Sequence, residues 1–395
     1  KLALRGNPTV IITISPDRPD EYEKDGQTGI YRFHPLNVST AHNIGKENVL
    51  RQGLWSFLDT YSFYSYYKIR RILKKEKPDI VHLHTPVDLT LSAFDAVKSL
   101  DLPLVYSLHD FFLLCKRVVL LHPNGAVCNN DNMNPLCAVY RNFSRSIVNR
   151  SVDLVISPSR FCIDLYRKNG FFINSEHTIL PNGIECGKRT DDEIIADRSA
   201  RRPIFTILYS GGLTRHKGID ILIKAVRAID NNNVKLNIVG SGGYEQELRR
   251  AAGNDNRIFF CGKCAHDDMG RFYRDADILV VPSIVYDVRP NVIPEAYCEG
   301  VPVAGAKIGG IPELIIDGRT GFLFQPGDHA GLQRILEKVI GDPRIVGELS
   351  VHCREFVKQF AMERYLDTLE TVYRQTMQKH RQGIAARKKG RRDGR

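Results

Sequence analysis

No apolar run in this 395-residue chain approaches the roughly 18 residues that a membrane-spanning helix needs. A signal peptide is also missing, so the compartment expected by default is cytoplasmic. Cysteine usage is equally restrictive. The nine cysteines are scattered and odd in number, which argues against a disulfide framework. Cys261-Gly262-Lys263-Cys264 has no second CxxC to complete a structural zinc site, and it follows the apolar run Ile258-Phe259-Phe260 as a strand-end turn. Cys115, Cys128 and Cys137, with His122 between them, offer three thiols and one imidazole, but at irregular spacing. No short-period repeat is visible.

What is present is an ordinary globular composition, 43% hydrophobic and 26% charged, on a chain long enough for two α/β domains. The formal net charge of +11 is uneven. The last fifteen residues hold seven Lys/Arg against Asp393, and this tail (381–395) reads as disordered. A second basic region packs Trp55, Phe57, Tyr61, Phe63, Tyr64 and Tyr67 ahead of Lys68, Arg70, Arg71, Lys74 and Lys75. Aromatics beside cations suit a lipid headgroup layer or a polyprenyl-linked acceptor, and equally a helix half buried against a sheet.

Strand and helix patterns alternate throughout, which predicts an α/β fold with parallel sheets and helices on both faces. Strands are expected at 9–13, 80–83, 104–107 and 154–157, with helices near 54–75, 89–99 and 160–169. A polar stretch at 188–202 reads as a linker. A second unit has strands at 204–210, 236–239, 278–281 and 301–304, with helices near 219–229, 244–252 and 330–340. Residues 361–379 read as one further helix. Two such units facing each other would open a cleft at the carboxyl ends of their strands.

The chemistry concentrates in a few loops. Asp287-Val288-Arg289-Pro290-Asn291-Val292-Ile293-Pro294-Glu295 sets two carboxylates either side of a helix start. Pro294 has no N–H and is tolerated only in a first helical turn, so the helix begins near Asn291. Free N–H groups at a helix start attract a phosphate, and the flanking carboxylates can accept hydrogen bonds from sugar hydroxyls. Gly211-Gly212-Leu213-Thr214-Arg215-His216-Lys217-Gly218 follows a strand and precedes a helix. Its glycines permit close backbone approach to phosphate, and Arg215 and Lys217 can neutralise a departing diphosphate. Val239-Gly240-Ser241-Gly242-Gly243 is a second glycine loop, which lacks the full GxGxxG fingerprint of a nicotinamide enzyme. His109-Asp110 closes the strand at 104–107, with Asp110 placed to orient His109 or to cap a following helix.

Together these segments resemble glycosyltransferase family 4, whose signature is an acid, seven residues, then Glu. The resemblance runs from about His82 to Phe324 through Pro158-Ser159-Arg160-Phe161, Leu180-Pro181-Asn182-Gly183 and Gly309-Gly310-Ile311-Pro312-Glu313. It departs from the family pattern where Asp287 replaces the usual Glu and Gly212 stands where an arginine is common. It implies a GT-B architecture: two doubly wound Rossmann-like domains facing a cleft, with a C-terminal helix crossing back. The implied division is 1–190 for the acceptor, 200–360 for the nucleotide-sugar and 361–380 for the return helix. A first strand with its glycine-rich loop, expected of the family, is not found at the start of the sequence.

The implied activity is retaining, metal-independent hexosyl transfer from a nucleotide-diphospho-sugar, with no other cofactor, to a glycan or lipid-linked glycan in cell-surface polysaccharide or lipopolysaccharide synthesis. By the resemblance, His109, Lys217, Arg215 and Asp287 are catalytic. Gly211, Gly212, Gly240, Gly242, Pro290, Asn291 and Glu295 bind substrate, with Glu295 on the ribose. Peripheral contact with the anionic inner face of the cell membrane is expected, and nucleic acid is not. A nucleotide-sugar epimerase and a non-catalytic nucleotide-sugar-binding relative remain as alternatives on the same fold.

Overall fold

A computed structural model describes residues 1–15, 20–37, 49–122, 127–128, 133–199 and 203–393. The side chains at 52–53, 56–57, 266 and 387–393 lie outside that description, and with them Phe57 and the cations of the basic tail beyond Arg381.

Strands β1 (Thr9–Ile14), β2 (Glu21–Asp25) and β3 (Thr28–Phe33) form a three-stranded sheet, in which β3 pairs parallel to β1 and antiparallel to β2. The β2–β3 hairpin has no counterpart in the alternating pattern expected from sequence. Helices α1 (Val49–Leu58) and α2 (Phe63–Glu76) follow. They divide the single helix expected at 54–75, because Ser62 caps a new start by accepting from Ser65 N–H. Next come β4 (Val81–His84), α3 (Ser92–Lys98), β5 (Leu104–Ser107), α4 (Pro135–Ser151), β6 (Leu154–Ser157), α5 (Arg160–Lys168) and β7 (Glu176–Ile179). The order β4-β5-β6-β7 is a four-stranded, all-parallel sheet.

The stretch at 188–202 is not a plain linker, since it contains α6 (Asp191–Ser199). Glu193 reaches back to Thr190 N–H while Thr190 Oγ1 accepts from Glu193 N–H, a reciprocal cap that a reading of polarity alone passes over. Arg198 then anchors the helix on the carbonyls of Glu299, Ala276 and Tyr273.

The second half runs β8 (Phe205–Ser210), α7 (Ile219–Ala228), β9 (Val234–Val239), α8 (Glu245–Ala252), β10 (Ile258–Gly262), α9 (Met269–Asp275), β11 (Ile278–Val281), α10 (Val292–Cys298), β12 (Val303–Ala306), β13 (Gly321–Phe324), α11 (His329–Gly341) and α12 (Arg344–Val357). Its six parallel strands lie in the order β10-β9-β8-β11-β12-β13. The order reverses between β8 and β11, which makes a crevice at their carboxyl ends the natural ligand position. Ile207, Leu236, Ile238, Ile278 and Leu279 are sealed from solvent, as expected for strands covered on both faces. Each such side chain contributes about 1.5–3 kcal/mol on burial.

The last helix, α13 (Met362–Asp393), crosses back to the first half. Leu369, Val372 and Tyr373 pack on Val105, Leu154 and Ile156 of the four-stranded sheet. At the crossing point Ile184 N–H donates to Phe360 C=O (2.8 Å) and Met362 N–H to Ile184 C=O (3.0 Å). His380 near its far end bonds Asp153 and the Asp101 carbonyl. The helix continues to Asp393, so the tail expected to be disordered from 381 is helical along most of its length.

The cysteines bring a second correction. Cys186 and Cys298 are disulfide-bonded across 112 residues, tying the segment after β7 to the end of α10. An odd, scattered set gave no hint of this pairing, because only the tertiary structure brings the two Cα atoms to 5.0 Å. Among the described residues, no three His, Cys, Asp or Glu side chains lie together as a metal could require. Cys115 is buried, Cys128 partly buried and Cys137 exposed, and all three are free thiols.

Candidate active site

Because the strands of the four- and six-stranded sheets are all parallel, the loops with chemistry leave from their carboxyl ends. In the six-stranded sheet, α10 starts where Pro294 requires, with Asn291 as its first flanking residue and Glu295 N–H donating to Asn291 C=O at 3.1 Å. Pro290 and Asn291 lie in the turn before it. Asp287 sits in the loop ahead of the helix, and Lys217 Nζ donates to its Oδ2 at 2.7 Å. The cation comes from the loop after β8 and the carboxylate from the loop after β11, so the pair spans the reversal point. Both are partly open to solvent, Lys217 at 33% and Asp287 at 16% of the side chain. An arriving anion can therefore share the lysine.

Glu295 is half buried and faces Tyr273 of α9, whose hydroxyl donates to Oε2 at 2.7 Å. Burial and the neighbouring carboxylate push the Tyr273 phenol far up, which keeps it a neutral donor. Ser210, at the end of β8, meets the same hydroxyl. No motif marks Tyr273. It lies 22 residues before Glu295, and only the fold brings them together.

The glycine loops meet each other. Gly240 has φ +144°, and a Cβ there would stand 1.8 Å from the Gly211 carbonyl. Gly242 packs as closely on Leu213 C=O, while Gly211 N–H donates to Val239 C=O at 3.0 Å. Gly240 and Gly242 are thus required by loop-on-loop packing that shapes the crevice floor. Gly212 is exposed, and a Cβ there meets nothing within 4 Å. Arg215 is exposed on the turn that precedes α7. His216 accepts at its carbonyl from Ile284 N–H, and burial lowers its pKa.

Other family-like segments converge on the same loop. Ser159 Oγ donates to Val288 C=O (2.7 Å), and Asn182 Nδ2 to Asn291 Oδ1 (3.3 Å). Glu313 accepts from Arg160 and Phe161 N–H at the start of α5, which makes its role a cap between the two halves. Gly309, at φ +61°, lies against Asp287, where a Cβ would meet backbone at 2.5 Å. Arg289 is the exception to this complementarity. It is 7% exposed, stacks on Phe360 at 4.4 Å, and both terminal nitrogens are without a hydrogen-bond partner among the described residues. Burial lowers its pKa to about 10.

In the four-stranded sheet, His109 lies just past β5. Asp110 does not orient it and starts no helix. Asp110 Oδ2 accepts from Thr85 Oγ1 and Oδ1 from Phe112 N–H, which makes a turn. The partner of His109 is His84, at the end of β4, with Nδ1···Nε2 at 2.7 Å. No direct bond joins His109 to Lys217, Asp287 or Glu295, so the candidate site has two separate walls.

Comparison with known proteins fits this geometry. Residues 1–188 match the family described as Glycosyltransferase Family 4, and residues 204–342 match Glycosyl transferases group 1. The chain is 24% identical over 315 residues to an uncharacterized 42.6 kDa protein in the cps region of Klebsiella pneumoniae, covering 78% of this chain and 79% of that one. It is 26% identical over 231 residues to the lipopolysaccharide 1,2-N-acetylglucosaminetransferase of Salmonella typhimurium, covering 54% and 59%. The solved structure of Anabaena Alr3699/HepE in complex with UDP and glucose superposes with a TM-score of 0.63 at 20% identity, covering 88% and 86%. The fold is GT-B, as the sequence implied.

Proposed function

The chain belongs to glycosyltransferase family 4, and from that premise we propose that it moves a hexose from a nucleotide-diphospho-sugar to a glycan or lipid-linked glycan, with retention and without a metal. The observation that carries this reading is the Lys217–Asp287 pair set across the strand-order reversal, beside a Glu295 held by Tyr273. Residues 200–360 hold the donor and residues 1–190 the acceptor. Lys217 and Arg215 take the diphosphate, Asp287 the sugar hydroxyls, Glu295 the ribose through its second oxygen, and His109 faces the reacting carbon.

In the step, the acceptor oxygen attacks the anomeric carbon on the face from which the diphosphate leaves. One C–O bond forms as the other breaks, the electron pair goes to the phosphate oxygen, and the hydroxyl proton follows it there. The protein contributes position and charge stabilisation. A UDP-sugar is the donor class favoured by the UDP-bound neighbour, and cell-surface glycan synthesis is favoured by the cps and lipopolysaccharide relatives.

The acceptor side would meet the inner membrane face through α2, where Phe63 (72% exposed) and Tyr67 (65%) precede exposed Arg71 and Lys74. No helix among the described residues is long and apolar enough to cross a membrane. Co-sedimentation with anionic but not neutral vesicles, lost in Phe63→Ser/Tyr67→Ser, tests that contact.

The activity is tested by binding and turnover across UDP-, GDP- and ADP-sugars, with and without EDTA. One preferred donor, unaffected by EDTA and lost in Glu295→Ala and Lys217→Ala, is the expected result. Absence of donor binding by folded protein would overturn the site assignment. Tight binding with no transfer to any glycan acceptor would identify a non-catalytic relative.

A further inference from the structure

Beyond the donor site lies a chain of aromatic rings that no motif announced. His82 and His84 are two apart on β4, so both project from one face of the strand. His84 Nδ1 meets His109 Nε2 at 2.7 Å, and the two rings are 19° from parallel with centroids 5.0 Å apart. His84 also lies against His82, with centroids 4.0 Å apart and the rings tilted by 36°. His82 is itself fixed at both nitrogens, Nδ1 to Tyr373 Oη (2.5 Å) and Nε2 to Ser107 Oγ (2.8 Å). Tyr373 belongs to α13, so the crossing helix braces the innermost ring of the row.

We propose that His84 is a positioning residue for the reaction, holding the His109 ring in one orientation and reserving its Nε2, so that Nδ1 is the nitrogen offered to substrate. The proposal rests on the reading of His109 as the group facing the reacting carbon. An N···N bond between two imidazoles needs one donor and one acceptor nitrogen, which requires at least one neutral ring. The surroundings favour neutrality. His84 and His109 keep one side open to solvent, but the protein crowding the other side of His84, then the neighbouring imidazole of His109, pushes His84 down to about 4. Burial also lowers His109 and, with His84 and His109 adding to it, lowers His82. The opposing charge is Asp110, which raises His109 but is already satisfied by Thr85 and Phe112 N–H. Tyr373, the titratable group that α13 presents to this row, is pushed up by burial and stays a neutral phenol. Fixing one ring matters because a misplacement of about 1 Å can cost on the order of 100-fold in rate.

The test compares His84→Leu, His84→Asn and His84→Gln in the full chain, using the donor chosen by the panel above and following both transfer and donor binding. Asn can place its amide nitrogen where His84 Nδ1 stands, whereas Gln reaches the Nε2 position. His84→Leu is expected to lower kcat about 10- to 100-fold with donor affinity kept within about two-fold, and to move the acid limb of the kcat profile toward neutral pH. His84→Asn is expected to recover most of the loss, and His84→Gln little of it. Wild-type kcat and pH profile in His84→Leu would overturn the proposal. Should His84→Leu fail to fold, equal activity of the Asn and Gln variants would overturn it instead. His109→Ala, run in parallel, separates the two claims. If it turns over normally, the reading of His109 itself fails. If it is inactive while His84→Leu is not, only the role of His84 fails.

Discussion

The two walls of the candidate site solve the problem of holding polar groups in opposite ways. The wall on the six-stranded sheet is charged and exchangeable: Lys217 and Asp287 neutralise each other until an anion competes for the lysine. The wall on the four-stranded sheet is neutral and chained: His109 leans on His84, His84 on His82, and His82 on Tyr373 of the crossing helix. A charged pair that is partly open to solvent can exchange its carboxylate for the charge of an arriving ligand. A neutral row braced at its inner end by Tyr373 and Ser107 has little freedom to rearrange. The contrast matches a wall that must bind and release a charged donor and one that must keep a single geometry.

The comparison can be broken most severely at Glu295. On the proposed reading, in which Glu295 accepts from the ribose, Glu295→Ala should lower donor kcat/KM by about 100-fold or more, read from steady-state kinetics. The Cys186–Cys298 bond comes next. Closing a loop across 112 residues, its removal in Cys186→Ser should cost about 2–4 kcal/mol of stability, measured by denaturant titration with and without a thiol reductant. Tyr273→Phe should be milder, raising donor KM about 5- to 10-fold with kcat nearly unchanged, because one charge-assisted hydrogen bond of about 1.5 kcal/mol is lost from Glu295. An unchanged KM would show that Tyr273 serves packing alone.

The neutral wall predicts a pH dependence. His82, His84 and His109 have folded pKa values below their unfolded values, so the unfolded chain binds more protons as pH falls. Their stabilising contribution is present above about 6.5, the ordinary histidine value. It is lost as pH drops toward the folded value, about 4 for His84. Melting temperature should decline over that interval, and less steeply in His84→Asn. The smallest effect is expected at Arg289, buried beside Phe360 with both terminal nitrogens lacking a hydrogen-bond partner among the described residues. Replacing an unpaired buried charge with an apolar chain is commonly neutral or stabilising, so Arg289→Met should raise stability by about 1 kcal/mol. A destabilised variant would assign the guanidinium a structural purpose through its ring contact.

The two walls also differ in how far they can be read along the chain. The donor wall is local. Pro294 fixes a helix start, Asp287 and Glu295 fall on either side of it, and the glycines before α7 and α8 mark strand ends, all within short windows. The histidine wall is legible only in part. His109 is marked by its place after a strand, whereas His84 looks like any residue ending β4. Asp110, adjacent to His109 in sequence and placed either to orient it or to cap a helix, instead serves a turn with Thr85. Likewise α6 was hidden by its polarity, and the basic tail by its charge, although capping and the continuation of α13 make both helical.

The sequence by itself determined the alternation of strands and helices, the carboxyl-end position of each reactive loop and the family of the chain. These follow from periodicity, turn residues and spacing, which act over a few residues. The tertiary structure decided which groups meet: Lys217 with Asp287, Tyr273 with Glu295, Cys186 with Cys298, and Tyr373 with the row of histidines that ends at His109. Each of these contacts joins elements distant along the chain, and its partner is set by strand order and by the path of the last helix rather than by any local preference.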